Sequence, residues 1–215
     1  MRWIDKLERR HGDLAIPNLI NIVLIGQLVV WFVVMFISTF PLEFFPLIRS
    51  GLLHGQVWRA VTFIFVPTLT TSPLALLLEL YFYWWIGNAL TRAWGDFRFT
   101  VYWVTGMIGA VLSCLATGAA GTAGLFYSLF FAYAWLWPEQ RILLFFILPL
   151  KIKWVGWASA ILWGLNFLTG SLSVKVSLLF GLAGFFLFFG RELYDWCRDT
   201  ILGYKRRKEW ENRWK

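Results

Sequence analysis

The chain holds only two histidines, His11 in the N-terminal tail and His54 in the long segment after the first apolar run, and neither lies inside a long apolar stretch. General acid–base chemistry at neutral pH falls most often to histidine, so the usual partner of a membrane-buried serine or cysteine nucleophile is missing. On the topology expected below, the two histidines sit on opposite faces and cannot share a metal, and no metal or other cofactor is implied. Cysteine is equally scarce. Cys114 sits within an apolar run and Cys197 in the polar C-terminal tail, with none of the spacings of a metal site or a disulfide framework. Repeated half-domains and paired broken helices, common in transporters, are absent too, and no pattern specifies an oligomeric state. The basic stretch before the first apolar run invites comparison with a cleaved signal. That run exceeds a signal core of about 7–15 residues and no small-residue cleavage pattern follows, so it is expected to be retained as a span.

What is present is apolar. Hydrophobic residues make up 59% of 215 positions and mean hydropathy is +0.64, above the roughly 45–50% apolar content of a soluble domain. Since a membrane helix needs about 20 mainly apolar residues, the expected fold is an all-α integral membrane bundle of six spans, near residues 17–38, 73–90, 99–117, 121–137, 154–169 and 176–190. Three segments follow: 1–16, an N-terminal interfacial helix; 17–190, one membrane domain; and 191–215, a basic tail. The stretch between spans 1 and 2 is broken by prolines, glycines and scattered charge, and is expected to lie in the interface. The stretch RILLFFILPLKIKW reads as a second interfacial connection.

The net charge of +8 does not point to nucleic acid, because the cations lie between apolar runs and at the ends. Seventeen Lys and Arg fall on one side of a six-span topology, against Arg49, Arg59 and Lys175 on the other. By the positive-inside rule both termini are cytoplasmic, in a bacterial cytoplasmic membrane. Membrane lipids are then a partner, and the tail cations Lys205 to Lys208 read as a topology anchor or as a contact with anionic lipid.

Many of the fifteen tryptophans, among them Trp84, Trp85, Trp94, Trp103, Trp135, Trp137, Trp154 and Trp157, cluster near span ends, where amphipathic indoles anchor at headgroup level. Glu79 is the only carboxylate within a span. An ionised one at mid-membrane costs roughly 2.5–3.5 kcal/mol, so Glu79 is expected to face the bundle, with Arg59 as its candidate partner. Asn166 in span 5 is a second candidate buried polar group, of the kind that joins helices. Gly106, Gly109, Gly118, Gly121, Gly124, Gly181 and Gly184 are small enough for close helix packing.

Several of these motifs resemble the rhomboid superfamily. GQVWRAVT at 55–62 is similar to the Trp-Arg motif, here Trp58 and Arg59, that rhomboids and derlins carry between their first two spans. GNALTRAWG at 87–95 resembles the close of rhomboid span 2, with Thr91 where the family usually has Glu. GTAG at 121–124 resembles the start of span 4, ILPLKIKWVGW the entry to span 5, and SLLFGLAG the span 6 helix ending at Gly184.

The resemblance implies a rhomboid-like six-helix bundle, with Gly121, Gly124 and Gly184 as structural positions. Active members carry a Gly-x-Ser-Gly nucleophile in span 4, a His in span 6, and a His and an Asn in span 2. The matching positions here are Ala123, Ser177, Ala75 and Glu79, and all four depart from the protease pattern. With nucleophile and base both replaced, the expectation is a pseudoprotease, not an enzyme. It would bind or escort client transmembrane helices, or join a membrane protein complex, in the derlin manner and within membrane protein quality control. The competing readings are an intramembrane serine peptidase with displaced residues, Ser128 being the candidate nucleophile, and a small transporter using Glu79 and Asn166.

Overall fold

A computed structural model describes residues 2–67, 72–144 and 148–213. Its first helix, α1 (Arg2–His11), has Asp5 in the first turn and Arg9, Arg10 and His11 in the last, charges that complement the helix dipole. It is docked onto protein. Ile4 is buried, and Arg98 reaches back to Asp5 at 2.9 Å and Glu8 at 3.1 Å. The Ile16 amide donates to Thr100 Oγ1.

Helix α2 (Leu19–Phe36) is the first apolar span. Buried in its middle is Gln27, whose amide donates to the Ile64 carbonyl at 2.8 Å, so the span is tied to the segment that follows it. That segment contains α3 (Phe40–Phe44), strand β1 (Leu47–Ile48), α4 (Arg49–Leu53) and α5 (Arg59–Thr62). Strand β1 pairs antiparallel with β2 (Ala119–Ala120), Leu47 opposite Ala120. The expected interfacial segment is thereby hydrogen-bonded to the connection between two later helices.

Helix α6 (Pro73–Trp94) starts at a Ser72 cap that accepts from the Ala75 amide, with proline in the first turn, where its missing N–H costs nothing. It stops at Gly95, and α7 (Asp96–Thr117) stops at Gly118, whose φ of 102° lies in the left-handed region that glycine adopts without penalty. Then come α8 (Ala123–Leu136), the antiparallel hairpin β3 (Arg141–Leu144) and β4 (Leu148–Lys151), α9 (Ile152–Thr169), α10 (Leu172–Gly181) and α11 (Ala183–Arg213). Each of the six expected spans coincides with helix. By length and composition α2 and α7 each suffice to cross a membrane, and α10 with α11 makes a third if counted as one bent span. This is an integral membrane protein, mostly helical, with two short strand pairs added to the all-α expectation.

Two expectations need correction, and a third gains detail. The helix expected over 176–190 is broken at Leu182 and bent by 74°. The connection RILLFFILPLKIKW contains a β-hairpin, its residues 145–147 lying outside the described ones. Trp103, expected at headgroup level, is 2% exposed and part of the core, where its ring meets Phe99 and Phe126.

At the base of the hairpin, Glu139 accepts from both Lys151 and Lys153. Those hydrogen bonds hold its carboxyl at about 2, against an ordinary 4.5. Because the folded value is depressed, the stabilisation is present above pH 4.5 and is lost as pH falls toward 2. A carbon-13 titration of Glu139 is expected to show its midpoint near 2, with hairpin resonances moving in the same step; a midpoint at 4.5 would mean that the lysines do not hold it.

Candidate functional site

Residues 121–124 turn the chain into α8 and place Ala123 at its first position. On the facing helix α10, Ser177 lies one turn before Gly181. The two helices touch backbone to backbone, since a Cβ built on Gly124 falls 2.7 Å from Gly181 Cα and one on Gly181 falls 3.0 Å from Gly124 Cα. Beside this contact α7, α8 and α10 enclose a cavity of about 160 Å³, lined by Ala123, Ser177, Ser113 and Tyr127 among others. Ser113 Oγ, buried in α7, has no hydrogen-bond partner among the described residues.

Ala123 and Ser177, two of the four positions that the motif resemblance matches to catalytic residues, therefore share one cavity. The other two, Ala75 and Glu79, are on α6 and do not line it. Ala75 is exposed in the first turn of α6, and Glu79, half-buried, lies one turn further on. A methyl group and a hydroxyl at the paired positions offer no base.

Ser128, the candidate substitute nucleophile, is 1% exposed and occupied otherwise. Its hydroxyl accepts from the Phe185 amide at 3.2 Å and is bonded to Tyr102 Oη, which itself donates to the Ser128 carbonyl at 2.8 Å. Phe185 is the third residue of α11, so one of the free amides at the start of a helix is satisfied by a hydroxyl from α8. This staple lies beside the 74° bend. Gly184 keeps the approach open, a Cβ there falling 3.2 Å from the Tyr102 carbonyl.

The remaining motif residues separate. Arg59 is buried, and its guanidinium donates to Gln56 Oε1, to the Pro46 carbonyl at 2.9 Å and to the Glu43 carbonyl at 2.7 Å. The cation expected to neutralise Glu79 instead organises the loop, because three oxygens converge on it there. Trp58 next to it is 47% exposed. Asn166 is not buried; it is exposed and donates to the Leu162 carbonyl of its own helix, which satisfies the amide without a second helix. Gly121 has nothing within 4 Å of a built Cβ, and neither has Gly118; these two serve turns, not helix contacts. Among the described residues no group of three or more His, Cys, Asp or Glu is placed to hold a metal.

Helix α8 packs against both α6 and α9, while α6 and α9 make no substantial contact with each other. On α8, Ala123 and Tyr127 are exposed, and on α6 Leu74, Leu78 and Tyr81 are exposed. Residues 54–192 match the family model described as Rhomboid domain. No curated protein matches the chain.

Proposed function

Because this chain belongs to the rhomboid family, we propose that it uses the family's bundle as a derlin-like pseudoprotease, binding transmembrane segments of client proteins without cleaving them. In this reading the chain crosses a bacterial cytoplasmic membrane six times, both termini are cytoplasmic, and its role lies in membrane protein quality control. The observation that supports it is that Ala123 and Ser177 line one cavity beside the Gly124–Gly181 contact, with no histidine or carboxylate among the residues that line it.

A client helix would enter laterally between α6 and α9 and lie along Ala123 and Tyr127 on α8. Its apolar surface would meet Leu78 and Tyr81, which are exposed on α6. Because lipid is as apolar as leucine, packing must carry the selectivity. The separation of α6 from α9 leaves room for that packing.

A photocrosslinker at Tyr127 is expected to trap membrane-embedded segments of other proteins, and one at exposed Ile25, on α2 and so on neither wall of this groove, to trap far fewer. Equal yields at both positions would argue against the groove. A fluorophosphonate probe is expected not to label the protein. Reproducible labelling abolished by Ser128→Ala would instead establish a peptidase with displaced chemistry.

A further inference from the structure

A second and larger cavity, about 520 Å³, lies between α8, α9 and α11. Phe131 and Trp135 face it from α8, Lys153, Trp157 and Ala160 from α9, and Trp196 from α11. On α9 these lie at i, i+4 and i+7, one face of a helix. Trp157 and Trp196 are about half exposed, so the cavity opens sideways.

Its two ends differ in kind. One is wholly apolar. The other lies at the hairpin, where Lys153 enters the lining and shares the carboxylate of Glu139 with Lys151, two positive charges against one. Glu192 stands at the rim as well, bonded to Trp135 Nε1 at 3.3 Å and preceded by Arg191. The ammonium of Lys153 has three donors, and the bond to Glu139 uses one.

The dimensions decide what fits. A helix 10–12 Å across fills a volume of this size with only about one turn, so a client span cannot be accommodated. From Lys153 to the last α9 residue lining the cavity, Trp163, is ten residues, about 15 Å of helix, and half of a hydrocarbon core of about 30 Å is the depth of one leaflet. The cavity is thus as deep as one acyl chain is long, apolar where the chain lies and cationic where a phosphate sits.

We propose that this cavity binds one anionic glycerophospholipid, its acyl chain along the aromatic wall and its phosphate at Lys153. Basic pockets between membrane helices recognise anionic headgroups by such charge. The site adjoins the smaller cavity through Trp163 and Leu182, but the lipid proposed for it does not depend on client binding.

Full-length protein, stripped of lipid in detergent, would be titrated with phosphatidylglycerol and, separately, phosphatidylethanolamine of the same chains, with bound lipid counted by native mass spectrometry. One phosphatidylglycerol per chain is expected, bound about tenfold more tightly than phosphatidylethanolamine. Lys153→Glu should abolish that preference, and Ala160→Phe should weaken both lipids by filling the chain's place. Should Ala160→Phe not fold, the Lys153→Glu result, with its half-exposed side chain, decides alone. Equal affinity for the two lipids in the native protein, an unchanged preference in Lys153→Glu, or displacement of the phospholipid by a single-span apolar peptide would overturn the proposal.

Discussion

Gly109→Ala is expected to destabilise the bundle by about 1–3 kcal/mol or more and to lower its melting temperature in detergent accordingly. Alanine is normally the better helix former, by about 1 kcal/mol, so a propensity argument gives the opposite sign. The contact decides it. A Cβ on Gly109 falls 2.3 Å from the Phe180 carbonyl oxygen and 2.9 Å from Ala183 Cβ. The carbonyl belongs to backbone, which cannot rotate aside, so α7 must move away from α10 and from the start of α11. At Gly106 the obstruction is Leu125 Cδ2, the end of a flexible side chain, and a smaller loss is expected. Gly121→Ala supplies the control: with open space around it and no positive φ, it should stay within about 0.5 kcal/mol of the native protein. A Gly109→Ala melting point equal to that of Gly121→Ala would contradict the close approach of α7 and α10.

Arg59→Ala is expected to cost about 3 kcal/mol, since a hydrogen bond to a charged group is worth about 1.5–3 kcal/mol and three part-buried ones are lost together. Three acceptors are at stake, the side chain of Gln56 and the carbonyls of Pro46 and Glu43. Arg59→Lys keeps the charge but lacks the planar fork that reaches three divergent oxygens, and it should recover only part of the loss. Limited proteolysis between Phe40 and Thr62, with melting curves for both variants, would check this. Native-like resistance in Arg59→Lys would show that charge alone holds the loop.

The helices themselves were legible because their ends carry local chemistry: Ser72 and Pro73 open α6, and Gly95 and Gly118 close α6 and α7, near the residues expected. The Ala123 and Ser177 pairing was legible through family motifs that carry spacing. Other features have no local signature. In lipid, both the outer and the packed faces of a helix are apolar, so periodicity could not tell that Asn166 faces out while Gln27 faces in. A lone amide within the apolar run Leu19–Phe36 was the available signal for Gln27. Two of the three partners of Arg59 are the backbone carbonyls of Pro46 and Glu43, 13 and 16 residues away, which no side-chain pattern announces. Ser128 was noticed for its hydroxyl, but its function as a helix cap depends on Tyr102 and Phe185, 26 and 57 residues away. The break at Leu182 is hidden in the same way, since the residues on either side of it are uniformly apolar.

The shortness of α8 has a consequence for how the protein is made. Fourteen residues rise about 21 Å, less than the roughly 30 Å of hydrocarbon, and half of them are buried against neighbours. Three of the helices that pack against α8, namely α9, α10 and α11, are synthesised after it. When Leu136 is added to the chain, the Phe185 amide that Ser128 will cap does not yet exist, and three of the five helices that pack against α8 are still untranslated. The central helix of this bundle therefore takes its final place late, after the chain that follows it has entered the membrane.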